Sequence, residues 1–146
     1  MASIQDTLTL EVATPTGWAL EPMKVSSVQA PSVFGEFGVL PGHLPLLVAL
    51  KAGPIHYVVD GTTKHAAMGG TGYAQVEKFA DGSGKLRVLA EFFLEPADID
   101  LEAAQADLDD AIARSKKSDD DVSLNTASRD EAWARARLEV GALAEA

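Results

Sequence analysis

The chain has 146 residues, a net charge of −10, no cysteine and 47% apolar side chains. That length suits one domain, or one domain of roughly ninety residues with an appendage, and a globule of this size needs no metal or disulfide staple. The missing thiols exclude disulfide frameworks, thiolate zinc sites and cysteine nucleophiles, and the negative charge disfavours nucleic acid and anionic lipid, which both demand a basic face.

Leu8, Leu10 and Val12 alternate with Thr7, Thr9 and Glu11, the period of a half-buried strand. Thr14-Pro15-Thr16-Gly17 is a turn signal, and Val28 and Ala30 then alternate with Ser27 and Gln29 up to Pro31. Leu46 to Leu50 reads as a short buried strand. With Pro45 included it is still the longest apolar run, far short of the roughly 20 residues a membrane span needs. Ile55, Tyr57 and Val59 form a strand that Asp60-Gly61 turns into Thr62 to Met68. Gly69-Gly70-Thr71-Gly72 is expected to be a turn. Strand patterns follow at Tyr73 to Lys78 and, after Asp81-Gly82-Ser83-Gly84, at Leu86 to Ala90. Strands this frequent, with glycine and proline between them, indicate an antiparallel β-sandwich over residues 1–94.

From Glu95-Pro96 the period becomes helical. Leu101, Ala104, Leu108, Ala111 and Ile112 form one seam, with Pro96 and Asp98 as start signals. Ser115 to Asn125 reads as a polar connection. A second helix is expected to open on the capping box Ser128-Arg129-Asp130-Glu131 and to carry the seam Trp133, Ala136, Val140 and Leu143. Residues 95–146 are therefore expected to form an antiparallel helical hairpin, making the chain mainly β with α. Its seams are narrow and alanine-rich, so the pairing should be weak. Charge is uneven too: residues 1–94 hold 8 acidic and 6 basic side chains, residues 95–146 hold 14 and 6.

No local motif carries chemistry. His56 and His65 fall on neighbouring strands and His43 in a loop, with no ligand spacing on a helix, so no metal site is expected. Counted from Asp119, the sixth and twelfth positions of a calcium loop are Leu124 and Asp130 rather than glycine and glutamate. Gly69 to Gly72 has strand pattern on both sides, whereas a phosphate loop leads into a helix. Gly82-Ser83-Gly84-Lys85 lacks the earlier glycine of a Walker motif, Phe79 standing there, and is followed by Leu86. No nucleophile-elbow sequence is present. The alternative expectation is a stand-alone β-sandwich protein-binding module with a helical tail.

Residues 35–53, Gly-Glu-Phe-Gly-Val-Leu-Pro-Gly-His-Leu-Pro-Leu-Leu-Val-Ala-Leu-Lys-Ala-Gly, add a different kind of information. They resemble the signature of the ATP synthase epsilon family, called delta in mitochondria, which reads close to GE-x-G-x-x-PGH-x-P-L-L and then a basic-x-Gly turn. Gly69-Gly70 and Val88-Leu89-Ala90-Glu91 match further family positions in register, Met68 replacing the usual serine, and Ile99-Asp100 stands at the step into the hairpin. The resemblance implies a non-catalytic rotor subunit at the foot of the central stalk. One sandwich face would grip the gamma subunit, while a loop with Glu36, Leu40, Pro41, Gly42 and His43 would rest on the polar loops of the c-ring. The complex would be a proton-translocating ATP synthase, with the choice between H⁺ and Na⁺ made in another subunit, and this subunit would lie peripherally on the cytoplasmic face of a bacterial inner membrane, without inserting. A mitochondrial or plastid setting is less expected, because residues 1–12 carry two acidic groups and no basic one.

In this family the hairpin either folds against the sandwich or extends along gamma towards the alpha and beta subunits and blocks hydrolytic rotation. Arg114, Lys116, Lys117, Arg129, Arg135 and Arg137 are the candidates for meeting an acidic beta segment, but 14 acids share their segment, so weak or absent inhibition is expected. Some members bind ATP through I-D-x-x-R-A. Here Ile99, Asp100, Ala103 and Ala104 occupy that motif, with Ala103 in the arginine position and Asp110 where a further cation would help, so no nucleotide cofactor is expected.

Overall fold

The computed structural model describes residues 6–145, so residues 1–5 and 146 of the two expected segments lie outside it. Eight strands come first: β1 (Thr7–Thr14), β2 (Gly17–Val25), β3 (Ser27–Ser32), β4 (Gly35–Val39), β5 (Leu46–Ala49), β6 (Gly53–Val59), β7 (Thr62–Lys78) and β8 (Ser83–Leu94). After a 3-10 turn at Pro96–Asp98 come α1 (Leu101–Lys117) and α2 (Asp121–Glu145). The fold is a β-sandwich followed by two helices.

The strand order is β2-β1-β8-β7-β6-β3-β4, with β5 added beside β7. Pairing is mixed, since β1 runs antiparallel to β2 but parallel to β8. The two layers share β7. Its first half pairs with β6, from Val59↔Thr62 to Gly53↔Met68, and its second half pairs with β5, from Ala49↔Tyr73 to Leu46↔Val76. The change of partner falls at Gly69–Gly72, where the ladder with β8 slips register and Gly70 takes φ +74°. The expected turn is thus a bulge inside one 17-residue strand. Glycine suits it because the extra residue needs a left-handed backbone, and the bend carries the chain from one layer into the other. Between the layers Leu8, Leu10, Val12, Val28, Ile55, Tyr57, Met68, Val76, Leu86 and Val88 form the core.

β2 was not expected. Of its nine residues only Leu20 and Val25 are buried, so it lacks the alternation that marks other strands. The helices also differ from expectation. α2 begins at Asp121, not near Ser128, because the Asp120 carboxylate accepts from the Ser123 amide at 2.6 Å and caps it. The connection shrinks to residues 118–120, and Ser128 is an exposed mid-helix residue.

α1 packs on α2 through Ala104, Leu108 and Ala111, and α2 in turn packs on β6 and β7. Being covered from two sides, α2 buries two stripes. Ala136 and Val140 meet Ala67 of β7 beside Trp133 and Ile99. Ala127, Ala134 and Gly141 recur every seven residues and are also buried, Gly141 lying against Leu101 of α1. Leu143, expected in the seam, is exposed.

Candidate functional site

The outer face of the layer β2-β1-β8-β7-β5 should be polar if water covers it. Instead, the pairings Trp18↔Ala13, Ala13↔Leu89, Leu89↔Tyr73 and Tyr73↔Ala49 line up one apolar row across all five strands. Trp18, Leu89 and Tyr73 are 54%, 47% and 51% exposed, and Leu47, two residues from Ala49 on the same face, is 70% exposed. A contiguous apolar stripe of this kind marks a partner surface rather than ordinary scatter. Beside it runs a shallow groove of ≈390 Å³ whose lining includes Pro15, Gly72, Tyr73 and Leu89.

The next row on this face holds an ion network. Glu11 points away from the core yet is only 3% exposed. Lys85 reaches it at 3.0 Å and Arg87 at 3.2 Å, while Arg87 also reaches Glu77 at 3.4 Å. Burial acts to raise the Glu11 pKa, but the hydrogen bonds and charges of Lys85 and Arg87 outweigh it and hold the carboxyl below its ordinary value. Leu47 and Gln75 continue that row on β5 and β7. Sequence reasoning found none of these residues as a site, because the row exists only after five strands are brought into register.

The expected ring-facing residues lie along β4, the edge strand of the other layer. Glu36 is on the strand itself, not in a loop as expected, opposite Pro31, and its carboxylate accepts from Gln29 Nε2 at 3.1 Å. Leu40, Pro41, Gly42 and His43 form the turn that follows. The His43 amide donates to the Leu40 carbonyl at 3.0 Å, and Pro41 followed by Gly42 at φ +88° gives it type II geometry. His43 Nδ1 donates to the Leu44 carbonyl at 2.6 Å. Three further apolar side chains missed in the sequence, Val33, Phe34 and Leu44, project from this edge beside Leu40, with Phe34 90% exposed. The Val33 amide donates to the Ala49 carbonyl at 3.1 Å, so the edge adjoins the end of the apolar stripe.

The hairpin lies against the sandwich. Trp133 of α2 stacks on Phe92 (5.4 Å between centroids, 24°) and seats over Gly69, where any side chain would collide with its ring. Arg129 adds a pair to Glu91 at 2.7 Å. The other arginines are also spoken for: Arg114 by Asp110 (2.8 Å) and Asp130 (2.7 Å), Arg135 by Glu131 (3.2 Å), and Arg137 by Asp107 (2.9 Å) while it lies 5.1 Å over the Trp133 ring. Lys116 and Lys117 are exposed and make no ion pair among the described residues. Ile99 is packed beneath α2. Asp100 accepts from the Ala103 amide at 3.1 Å as the cap of α1, leaving Ala103 exposed and Ala104 buried. The crevice between the helices, ≈260 Å³, is lined by Asp107, Asp110, Asp130, Arg114, Arg137 and Trp133. Among the described residues no group of three or more metal-ligating side chains occurs, and no helix is long and apolar enough to cross a membrane.

Against known proteins, residues 7–93 match the family model for the ATP synthase delta/epsilon chain, β-sandwich domain. The chain is 39% identical over 111 residues to the ATP synthase epsilon chain of Nitratidesulfovibrio vulgaris, covering 76% of this chain and 78% of that one. It is 34% identical over 118 residues to the epsilon chain of Lawsonia intracellularis, covering 81% and 84%. Among solved structures it superposes on a chain of the Euglena gracilis mitochondrial ATP synthase, OSCP/F1/c-ring, with TM-score 0.78 and 21% identity over 97% of this chain and 84% of that one. A chain of the Tetrahymena thermophila mitochondrial ATP synthase central stalk and c-ring gives TM-score 0.62 at 14% identity, over 94% and 98%.

Proposed function

Since this chain belongs to the delta/epsilon family of ATP synthase subunits and is a non-catalytic subunit of that complex, we propose that it couples c-ring rotation to the gamma subunit in the central stalk of a proton-translocating enzyme. The observation that carries this reading is the exposed row Trp18, Ala13, Leu89, Tyr73 and Ala49. A shaft subunit laid across it removes aromatic and aliphatic surface from water on five strands at once, so torque is resisted by a whole sheet and not by a flexible segment. The β4 edge, with Phe34, Glu36, Leu40 and His43, is then the surface for the polar loops of the c-ring. Phe34 and Leu40 supply apolar contact, while the Glu36 carboxylate supplies an acceptor and the His43 ring a polar contact. Because edge and stripe meet at Ala49, one rigid body can touch both partners. The subunit would work peripherally on the cytoplasmic side of the membrane, with residues 1–94 as the coupling unit and 95–146 as the hairpin.

The hairpin is assigned at most a weak regulatory role towards the alpha and beta subunits, and no nucleotide. Both guanidiniums lining the interhelical crevice are already neutralised by carboxylates of the hairpin itself, so a triphosphate there would have to displace them.

Paired substitutions test the assignment. Leu89→Asp with Tyr73→Asp should abolish co-purification with gamma while circular dichroism and thermal unfolding stay close to wild type. Phe34→Asp should leave gamma capture intact and weaken retention on c-ring-containing membranes. Full gamma capture by the stripe variant would sink the proposal.

A further inference from the structure

The outer face of the β4-β3-β6-β7 layer, on which α2 covers Ala67 and Gly69, carries a further feature between the hairpin and the β4 edge. Gly38, Gln29, His56 and His65 stand in one row, each opposite the next. His56 and His65 are half-buried, their rings meet edge to face with centroids 4.8 Å apart, and their Nδ1 atoms are 2.6 Å apart. One Nδ1 must donate to the other, so the two Nδ1 atoms face each other, and a shared metal needs both rings to turn until their lone pairs converge on it. A groove of ≈440 Å³ lies alongside, its lining including Ser27, Gln29, Gly38, His56 and Thr63.

We propose that His56 and His65 together bind a divalent transition-metal ion through their two Nδ1 atoms, with Cu²⁺ preferred to Zn²⁺. The preference follows from the spacing. With metal–nitrogen bonds of about 2.0 Å, two cis ligands at a right angle stand about 2.8 Å apart, and two ligands of a tetrahedron about 3.3 Å apart. From 2.6 Å the rings need open by only a few tenths of an ångström for the tetragonal arrangement of Cu²⁺, and by more than half an ångström for a zinc tetrahedron. The order of intrinsic affinities favours Cu²⁺ as well.

The ladder holds the pair in place, because His56↔His65 sits between Ile55↔Ala66 and Tyr57↔Lys64 with both strands continuous on either side. Binding is a tautomer shift: the ion takes the lone pairs of both Nδ1 atoms, the hydrogen that the donor ring held on Nδ1 passes through solvent to that ring's own bare Nε2, and both neutral rings then carry their one hydrogen on Nε2. Water fills the other positions from the groove. Gln29, opposite His56, has its amide nitrogen engaged by Glu36 at 3.1 Å, which frees its oxygen to accept from a metal-bound water.

The probe is Cu²⁺ itself, added to the full-length protein and followed by electron paramagnetic resonance and amide NMR. Hyperfine coupling to two imidazole nitrogens is expected, with paramagnetic broadening centred on His56 and His65, and neither readout requires a variant. His56→Gln or His65→Gln should weaken binding on the order of tenfold or more, whereas His43→Ala should leave it unchanged. Zn²⁺ should compete poorly. Broadening centred on His43, coupling to one nitrogen only, or affinity retained in both glutamine variants would overturn the assignment.

Discussion

A single methyl group at Gly69 asks what holds the hairpin to the sandwich. Gly69 is not among the glycines with positive φ, so alanine fits its backbone without strain. Its Cβ would fall 2.8 Å from Cδ2 and 3.1 Å from Cγ of Trp133, and nearer still to Cε3. Ordinary carbon contacts are about 3.5–4.0 Å, so the indole must retreat by roughly 1 Å. Retreat spoils the stack on Phe92, worth about 0.5–1.5 kcal/mol, and loosens Ala136 and Val140 against Ala67. Overpacked sites typically cost about 1–3 kcal/mol, and that range is expected here for the docked state alone, because Gly69 faces away from the sandwich core. Native-state hydrogen exchange reads it directly. Protection in α1 and α2 should fall roughly fivefold to hundredfold, since about 1.4 kcal/mol is tenfold, with β1 and β8 unchanged. In a Trp133→Ala background Gly69→Ala should become neutral. Equal loss of protection across strands and helices would refute the picture of a separately docked hairpin, and an unchanged cost without the indole would refute the steric argument.

The buried Glu11 gives a pH signature. Its pKa lies below the ordinary 4.5 in the folded chain, so its contribution is present above that value and lost as pH falls through the folded one. Glu11→Gln should cost roughly 1–2 kcal/mol at neutral pH, leaving Lys85 without a counterion and Arg87 with Glu77 alone, both partly solvated, and should flatten the decline in urea stability between about pH 5 and pH 3. Asp120→Ala removes the cap of α2, so carbon chemical shifts should report loss of helix over residues 121–126 with the remainder intact. Titrating the full-length protein with ATP to millimolar concentration should leave amide shifts of residues 98–140 in place, saturable movement being the contrary result. Truncation after Glu95 should change ATP hydrolysis by the assembled complex little, and a many-fold rise would show that this hairpin does inhibit.

What could be read in the chain alone follows the physical period of each element. β8 alternates cleanly because one face is core and the other is not, and β1 does so from Thr7 to Leu10 before Glu11 is buried by its ion pairs, while β6 keeps the pattern only from Ile55 to Tyr57. β2 escaped because an exposed strand with two buried residues leaves no alternation. The start of α2 escaped for a related reason: Val122 and Leu124 are exposed, so its first turns have no apolar face and are fixed only by the cap at Asp120. Its later course was partly hidden by burial on two sides, which spreads small residues around the helix. The Gly69–Gly72 bulge looks like a turn because turns and bulges demand the same left-handed glycine, and only partner strands distinguish them. The β4 turn was legible because Pro41-Gly42 dictates its own geometry. The apolar stripe was not, because Trp18, Leu89 and Tyr73 are isolated in sequence and become neighbours only through three separate ladders.

The same ladders bear on what the hairpin can do. Arg114, Arg129, Arg135 and Arg137 each face a carboxylate of this chain, and of the hairpin's six basic residues only Lys116 and Lys117 make no ion pair among the described residues. Exposed pairs contribute little to stability individually, so these do not themselves lock the hairpin down, a task that falls to Trp133, Ala136 and Val140. Their effect is on partner choice. An acidic surface that would draw the hairpin outwards must replace Asp107, Asp110, Asp130, Glu131 and Glu91, which are already at contact distance and cost no association entropy. Raised ionic strength weakens both sets of pairs and leaves the apolar seat untouched. The folded hairpin should therefore be insensitive to salt, and removing its acids is the change that would free its arginines for an acidic partner.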